Sequence, residues 1–280
     1  ILTTFGILFS ILFEAIEFFK LRSFWYFITG TTWSPGVIDS QFGALPIFAG
    51  TFVITVIALG VAIPIGLGSA IYMSEYASPK LRDYLKPLLE VLAGIPSVVY
   101  GFFAAITVAP LVVKIAEAIG LEATFNSALA SGVVMGIMII PTISSLSDDV
   151  IRSVPDSQRK ASFGLGMTHG ETIRDIVLPS AMPGIISASL LALSKALGET
   201  MVVVMAAGLR PNLSWNPLED MTTVTVTIVN ALVGDFEFSS PETLSAFALG
   251  LVLFVVTLIL NMISLSLIRK FKEKYKVNTL

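Results

Sequence analysis

Long apolar runs separated by short charged loops are the feature that most constrains how this chain folds. Several runs exceed the ~18–20 apolar residues that a helix needs to cross a bilayer. Of the 280 residues, 55% are hydrophobic and 13% are charged, whereas an ordinary soluble domain has about 25% charged residues. The sequence therefore predicts an all-α, polytopic membrane protein embedded in lipid.

The hydropathy pattern predicts six transmembrane helices in a single transmembrane domain over residues 1–280. The first apolar run ends near Phe19 and is short for a span, so we expect a first span truncated at its N-terminus. The other five spans are predicted at about Phe48–Met73, Leu88–Val113, Ala128–Leu146, Ala181–Ala207 and Leu244–Ile268.

The distribution of basic residues predicts which loops face the cytoplasm. Loops 74–87, 147–180 and 269–280 hold three, four and five of the 17 lysines and arginines, whereas the opposite loops hold four. Positive residues accumulate in cytoplasmic loops. We therefore expect both termini, and loop 147–180, to lie in the cytoplasm.

The composition argues against several kinds of site. The chain has no cysteine, a single histidine (His169) and no G-x-x-x-x-G-K-[ST] loop for binding nucleotide phosphates. Its net charge of −3 gives no indication of a nucleic-acid partner. We expect a transport subunit that is not an enzyme and has no cofactor or metal. If ATP drives it, Mg-ATP binds to another polypeptide.

Loop 147–180 contains signals for two short helices joined by a turn. Asp156 suits the first turn of a helix, and Gly166 suits the left-handed residue that ends one. Thr168 and Glu171 have the T-x-x-E spacing of a capping box, which predicts a second helix that Pro179 is expected to stop. Small residues in the first helix would let another protein approach closely. An ordinary amphipathic surface loop is the alternative.

The same loop resembles the EAA loop of ABC-importer permeases. That pattern is Glu-Ala-Ala, three residues, Gly, nine residues, Ile, one residue, Leu-Pro. Lys160 and Ser162 depart from it, at the positions of the Glu and the second Ala. The resemblance implies that the loop is a coupling helix seated on a cytoplasmic ATPase. The predicted docking residues are Lys160, Ala161, Ser162, Gly166, Thr168, Glu171, Ile176 and Pro179.

Other stretches resemble the permeases of phosphate-specific ABC importers over nearly the whole chain. They are GTFVITVIALGVAIPIGLGSAIYMSEYA (50–77), LAGIPSVVYGFF (92–103) and KALGETMVV (195–203). GETMVVVMAAG (198–208) and GLVLFVVTLILN (250–261) resemble the PstC type more than the PstA type. The resemblance implies the type I importer permease fold, alternating access, and three kinds of partner: a homologous second permease, two ATPase subunits and an extracytoplasmic phosphate-binding protein. It also implies a bacterial or archaeal inner-membrane location.

A predicted substrate path comprises Lys195, Glu199 and Thr200 in the fifth span. Spacing of i,i+4 would place Lys195 and Glu199 on one helix face. Ionisable groups at membrane depth usually face a partner or a water-filled cavity. The pair therefore either lines an anion path, with Lys195 as an electrostatic guide positioned by Glu199, or is a mutually neutralising structural pair.

A predicted gate comprises Gly94, Pro96, Ser97 and Gly101, because proline frees a backbone carbonyl and breaks a helix at membrane depth. A packing kink is the alternative.

The long loop 208–243 carries Glu219, Asp220, Asp235 and Glu237 and is expected to dock the binding protein.

Three other functions stay open from the sequence. The chain could carry another oxyanion such as sulfate or molybdate, or be a PstA-type partner subunit. An ion-coupled secondary transporter would account for Lys195 and Glu199 but not for the spacing within 160–179. An intramembrane enzyme lacks the expected residues, since there is no Cys and no H-E-x-x-H motif.

Overall fold

The computed structural model describes residues 2–36, 40–233 and 239–274, most of them in helices. In chain order the helices are α1 (Leu2–Leu21), α2 (Phe24–Thr29), α3 (Leu45–Ile71), α4 (Pro79–Gly94), α5 (Ser97–Phe103), α6 (Ala109–Ala118), α7 (Ala128–Arg152), α8 (Asp156–Gly164), α9 (His169–Thr172), α10 (Leu178–Leu197), α11 (Met201–Ala206), α12 (Val224–Val233) and α13 (Pro241–Lys274). Strands β1 (Trp33–Ser34) and β2 (Gln41–Phe42) pair antiparallel. Three five-residue π-helical segments adjoin these helices: Tyr72–Tyr76, Ala104–Val108 and Ile173–Val177.

Five helical stretches are long and apolar enough to cross a membrane. They are Leu45–Tyr76, Ser97–Ala118, Ala128–Arg152, His169–Leu197 and Pro241–Ser266. The predicted all-α polytopic class is confirmed, and these stretches correspond to five of the six predicted spans. The first predicted span coincides with α1, a 20-residue helix that is not one of the five, so the count of six is approximate.

The predicted start of the third span, Leu88, is wrong. Leu88 belongs to α4, which ends at Gly94, and the apolar stretch begins at Ser97. Ile95 between them is extended, with φ −65° and ψ 129°. The physical reason is Pro96, since a proline disfavours the helical conformation of the residue before it.

The predicted bounds of the fifth span are wrong at both ends. The helical stretch begins at His169 rather than Ala181, so Pro179 does not stop the second helix of the loop. A π-helical segment precedes Pro179, and the Leu178 N–H donates to the Ile173 carbonyl five residues back, which lets the chain continue as α10. The stretch then ends at Leu197 instead of continuing to Ala207.

The chain folds into two compact units, each assembled from three segments. The first comprises Ile1–Ile57, Pro96–Met135 and Leu197–Leu258. Its core includes edge-to-face aromatic contacts of Phe18 with Phe27 and Phe42, at ring distances of 5.4 and 5.5 Å. Trp33 lies opposite Phe42 in the β1–β2 pair and also contacts its ring. The β1–β2 pair therefore packs against the aromatic core of this unit.

The second unit comprises Ala58–Ile95, Gly136–Ala196 and Ile259–Leu280. Glycines let its helices approach closely: a Cβ added to Gly66 would lie 2.9 Å from the Cβ of Ile143, and one added to Gly136 would lie 2.8 Å from the Ala58 carbonyl oxygen. This unit contains the whole of loop 147–180. The two compact units do not test whether residues 1–280 form a single transmembrane domain, which stays a prediction.

Candidate functional site

The first helix of the predicted docking loop forms where the sequence indicates. α8 begins at Asp156, immediately after Pro155, and ends at Gly164. Gly166 adopts φ +83°, the left-handed conformation that glycine tolerates best. The predicted helix and glycine turn are confirmed. We refer to residues 156–179 as the docking hairpin.

The predicted capping box starts the second arm of the hairpin. The Thr168 N–H donates to Glu171 Oε2 at 2.8 Å, and the Glu171 N–H donates to Thr168 Oγ1 at 3.4 Å. These reciprocal bonds satisfy two amide groups at the start of α9, so the prediction from the T-x-x-E spacing is confirmed. Both residues organise the turn itself.

Two buried hydroxyls join the arms of the hairpin. Ser162 Oγ lies 2.8 Å from Thr172 Oγ1, and it also donates to the Arg159 carbonyl at 2.8 Å. Ser162 and Thr172 are 3% and 1% exposed. Ser162 stands where the EAA pattern has alanine, and its hydroxyl makes a contact that alanine cannot make.

Arg159 ties the hairpin to the end of α3, a contact that the sequence analysis missed. Its Nη1 donates to Glu75 Oε1 at 3.0 Å, and its Nη2 donates to the Ile151 carbonyl at 2.9 Å. Glu75 lies in the π-helical segment Tyr72–Tyr76. In the sequence, the only local sign of this contact is that Glu75 is a lone carboxylate at the end of an apolar run.

His169 adds a second attachment at the same place. Its Nε2 lies 3.3 Å from the Glu75 carbonyl oxygen. The imidazole packs edge-on against Tyr76 at 5.3 Å and stacks with Phe163 at 6.2 Å. Both arms of the hairpin therefore contact the π-helical end of α3.

The docking hairpin also exposes apolar side chains next to a groove between its arms. Leu165 is 84% exposed and Phe163 is 46% exposed. A groove of about 360 Å³ lies between the two arms, and its lining includes Ala161, Ser162, Leu165, Met167, Ile176 and Pro179. Four of the predicted docking residues line this groove, whereas Lys160 and Gly166 are exposed. The groove and the exposed Leu165 side chain together offer an apolar contact surface to another protein.

The predicted substrate path coincides with a break between two helices. α10 ends at Leu197 and α11 begins at Met201, so the expectation that Lys195 and Glu199 share one helix face is wrong. Gly198 lies in the break, in the turn that follows α10. Lys195 is exposed in the last turn of α10, and Thr200 is the residue before α11.

Glu199 makes a different contact from the predicted one. Its Oε1 accepts hydrogen bonds from the amides of Met201 at 3.0 Å and Val202 at 3.3 Å. Its own carbonyl accepts from Thr225 Oγ1 at 2.9 Å. The carboxylate therefore satisfies exposed amides of α11, and the prediction that it positions Lys195 is not supported by this geometry.

The predicted gate residues fall on both sides of the α4–α5 break. Pro96 precedes α5, Ser97 is its first residue, and an added Cβ on Gly94 would meet no atom within 4 Å. Gly101 is different, because a Cβ there would lie 2.7 Å from Met205 Sδ. Gly101 therefore lies where α5 and α11 pack closely together. A gating role for these four residues stays a prediction.

The acidic side chain of Glu219 in loop 208–243 is hydrogen-bonded within that loop. Glu219 accepts from Asn212 Nδ2 at 2.8 Å and from Asn216 Nδ2 at 3.0 Å. Hydrogen bonds from Asn212, Ser214 and Asn216 lower the pKa of Glu219. Asp235 and Glu237 lie outside the described residues. Glu219 thus stabilises the loop conformation.

Comparison with known proteins identifies the family. Residues 62–273 match the family described as "Binding-protein-dependent transport system inner membrane component". The chain is 35% identical to "Probable ABC transporter permease protein YqgH" of Bacillus subtilis, over 90% of this chain and 78% of that protein. It is 36% identical to "Phosphate transport system permease protein PstC" of Mesorhizobium japonicum (84% and 75%) and 33% identical to "PstC 1" of Mycobacterium tuberculosis (92% and 85%).

Solved structures share the fold at low sequence identity. A bacterial ABC transporter that imports alginate matches with a TM-score of 0.61 and 15% identity, over 95% of this chain and 96% of that one. An inward-facing MetNI methionine ABC transporter matches with a TM-score of 0.59 and 16% identity (82% and 94%). These similarities concern the fold alone. The chain belongs to the family of binding-protein-dependent transport system inner membrane components and is a permease subunit of an ABC importer, integral to the inner membrane.

Proposed function

We propose that this chain is the PstC-type permease of a phosphate importer. Phosphate delivered by an extracytoplasmic binding protein would cross the membrane through this subunit and a homologous second permease. The names of the relatives in Mesorhizobium japonicum and Mycobacterium tuberculosis support this substrate. Sulfate, molybdate and a PstA-type role are the competing assignments.

The observation that carries the proposed mechanism is the construction of the docking hairpin. Its back is anchored to α3 through Arg159 and His169, and its second arm continues as α10. Its front exposes Leu165 beside an apolar groove. Two cytoplasmic ATPase subunits that bind and hydrolyse Mg-ATP would seat this hairpin and its counterpart, with both chain termini on the same side of the membrane.

These connections support an alternating-access mechanism. Movement of the hairpin shifts two membrane-crossing stretches together, because α3 and α10 are both attached to it. Such a rigid-body shift can close one side of a path while it opens the other. Lys195, at the end of α10, would guide the anion by its positive charge, because an ammonium attracts an oxyanion as a point charge.

Reconstituted vesicles test this function. Vesicles that contain this permease, its partner permease, the ATPases and the phosphate-binding protein should accumulate labelled phosphate only when ATP is supplied on the ATPase side. Excess unlabelled phosphate should suppress uptake, whereas sulfate or molybdate should not. Uptake without any ATPase would instead establish an ion-coupled transporter, and suppression by sulfate or molybdate would reassign the substrate.

A further inference from the structure

Helix α4 lacks the apolar contacts that usually hold a helix in place. None of its residues is buried. Its larger apolar side chains face outward, with Tyr84 at 79%, Leu88 at 55% and Val91 at 66% exposure. Hydrophobic burial within the second unit therefore does not fix the position of this helix.

Two ion pairs attach α4 to the end of α7. Arg82 Nη2 donates to Asp148 Oδ2 at 2.7 Å, and Lys86 Nζ donates to Asp149 Oδ1 at 2.6 Å. The two basic residues are four apart and share one face of α4. The two aspartates are adjacent, about one turn before α7 ends at Arg152. The pairs thus fix α4 both along and around its axis.

The two pairs differ in burial. The Asp148 side chain is 1% exposed and that of Arg82 is 19% exposed, whereas Lys86 and Asp149 are 30% and 54% exposed. Among the described residues, Arg82 Nε and Asp148 Oδ1 are buried without a hydrogen-bond partner. Replacing a buried pair of this kind by apolar residues is often neutral for stability, so we assign this pair a positioning role rather than a stabilising one.

We propose that Arg82 and Asp148 are positioning residues that hold α4, and the helix end at Gly94, to the end of α7 that leads into the docking hairpin. This inference rests on the proposed function, because it assigns the pair to the route between the ATPases and the predicted gate. α4 and the end of α7 then move as one body when the hairpin moves.

The first test measures coupling in the complete importer. The apolar variant Arg82→Met/Asp148→Leu should assemble with its partners, yet the phosphate moved per ATP hydrolysed should fall by about three- to tenfold. Arg82→Lys keeps the charge and should retain most of the ratio. The matched control is Lys86→Gln/Asp149→Asn, which removes only the exposed pair and should change the ratio less than twofold. An unchanged ratio in the apolar variant would overturn the inference.

A second readout does not depend on phosphate. The chain has no cysteine, so Gly94→Cys provides a single labelling position at the end of α4. In the assembled complex, the rotational correlation time of a spin label at this position should fall by at least about twofold when Arg82→Met/Asp148→Leu is also present, because the helix end is no longer held. An unchanged correlation time would contradict the inference. Failure of the proposed function would appear separately, as absence of phosphate uptake by the unmodified complex.

Discussion

Glu75 and Arg159 are 84 residues apart in the chain, yet their side chains form an ion pair with an N–O distance of 3.0 Å. The pair is shielded from water, with Glu75 at 6% and Arg159 at 17% exposure. It joins the end of α3 to the first helix of the docking hairpin. The docking hairpin is therefore attached to α3 through this ion pair, and to α10 through the continuous helical stretch His169–Leu197.

The first prediction concerns this ion pair. Glu75→Gln should lower the stability of the permease by about 2 kcal/mol, because the mostly buried Arg159 guanidinium loses the carboxylate at 3.0 Å and keeps only the exposed Asp156 carboxylate, 3.9 Å from its Nε. Thermal unfolding of the purified protein in detergent measures the effect. Arg174→Gln is the control, since the Arg174 side chain is 86% exposed and its pair with Asp175 is long, at 3.8 Å. Equal stability of Glu75→Gln and the unmodified chain would contradict the anchoring role.

The second prediction concerns the hydroxyl pair inside the hairpin. Ser162→Ala alone and Thr172→Val alone should each cost about 1 kcal/mol. The first leaves the buried Thr172 hydroxyl without its partner, and the second leaves Ser162 Oγ with only its bond to the Arg159 carbonyl. The double variant should cost clearly less than the sum, because both hydroxyls are gone. A double-mutant cycle on thermal unfolding measures this coupling. Simple additivity would show that the 2.8 Å contact contributes nothing.

Local sequence signals were sufficient to predict the first helix, the glycine turn and the capping box of the docking hairpin. Asp156, Gly166 and the Thr168–Glu171 spacing act within a few residues of the backbone that they shape, and each adopts the predicted role. Pairing between distant segments has no such signature. Neither Glu75 nor Arg159 reveals in one sequence that the other is its partner, since 84 residues separate them.

Helix continuity was the weaker part of the prediction. The apolar run continues across Gly198, so hydropathy alone predicts a continuous helix where the backbone breaks. The break before α5, in contrast, was predicted from Pro96 itself. At Pro179 the opposite happens, because the π-helical segment before it carries the helix onward. In each case backbone hydrogen bonding decides the outcome, and hydropathy does not report it.

The third prediction concerns the charge at the end of α10. Lys195→Gln should reduce phosphate uptake by about tenfold through loss of the guiding positive charge, with assembly unchanged. Lys195→Arg should retain uptake. Lys114→Gln removes an exposed lysine from α6 and serves as the control. Uptake kinetics in reconstituted vesicles decide the matter, and unchanged kinetics for Lys195→Gln would remove this residue from the path.

The fourth prediction is a pH dependence in the loop around Glu219. Its folded-state pKa is lowered by Asn212, Ser214 and Asn216, so the ionised carboxylate stabilises the loop above the ordinary glutamate pKa of about 4.3. This contribution is lost as the pH falls through the lower, folded-state pKa. Hydrogen exchange at the Met221 amide, corrected for its intrinsic pH dependence, should accelerate on acidification. Glu219→Gln should abolish the dependence; if it persists, another group is responsible.

The seating of the docking hairpin on an ATPase is tested most directly by cysteine crosslinking in the assembled importer. Because the chain has no cysteine, Ala161→Cys and Leu165→Cys each introduce one reactive position at the groove. Each should crosslink to a cysteine on the ATPase surface, with a yield that changes on ATP binding, whereas Leu121→Cys, exposed in the α6–α7 loop, should not. No crosslink from either groove position, in a complex that assembles and transports, would contradict the account.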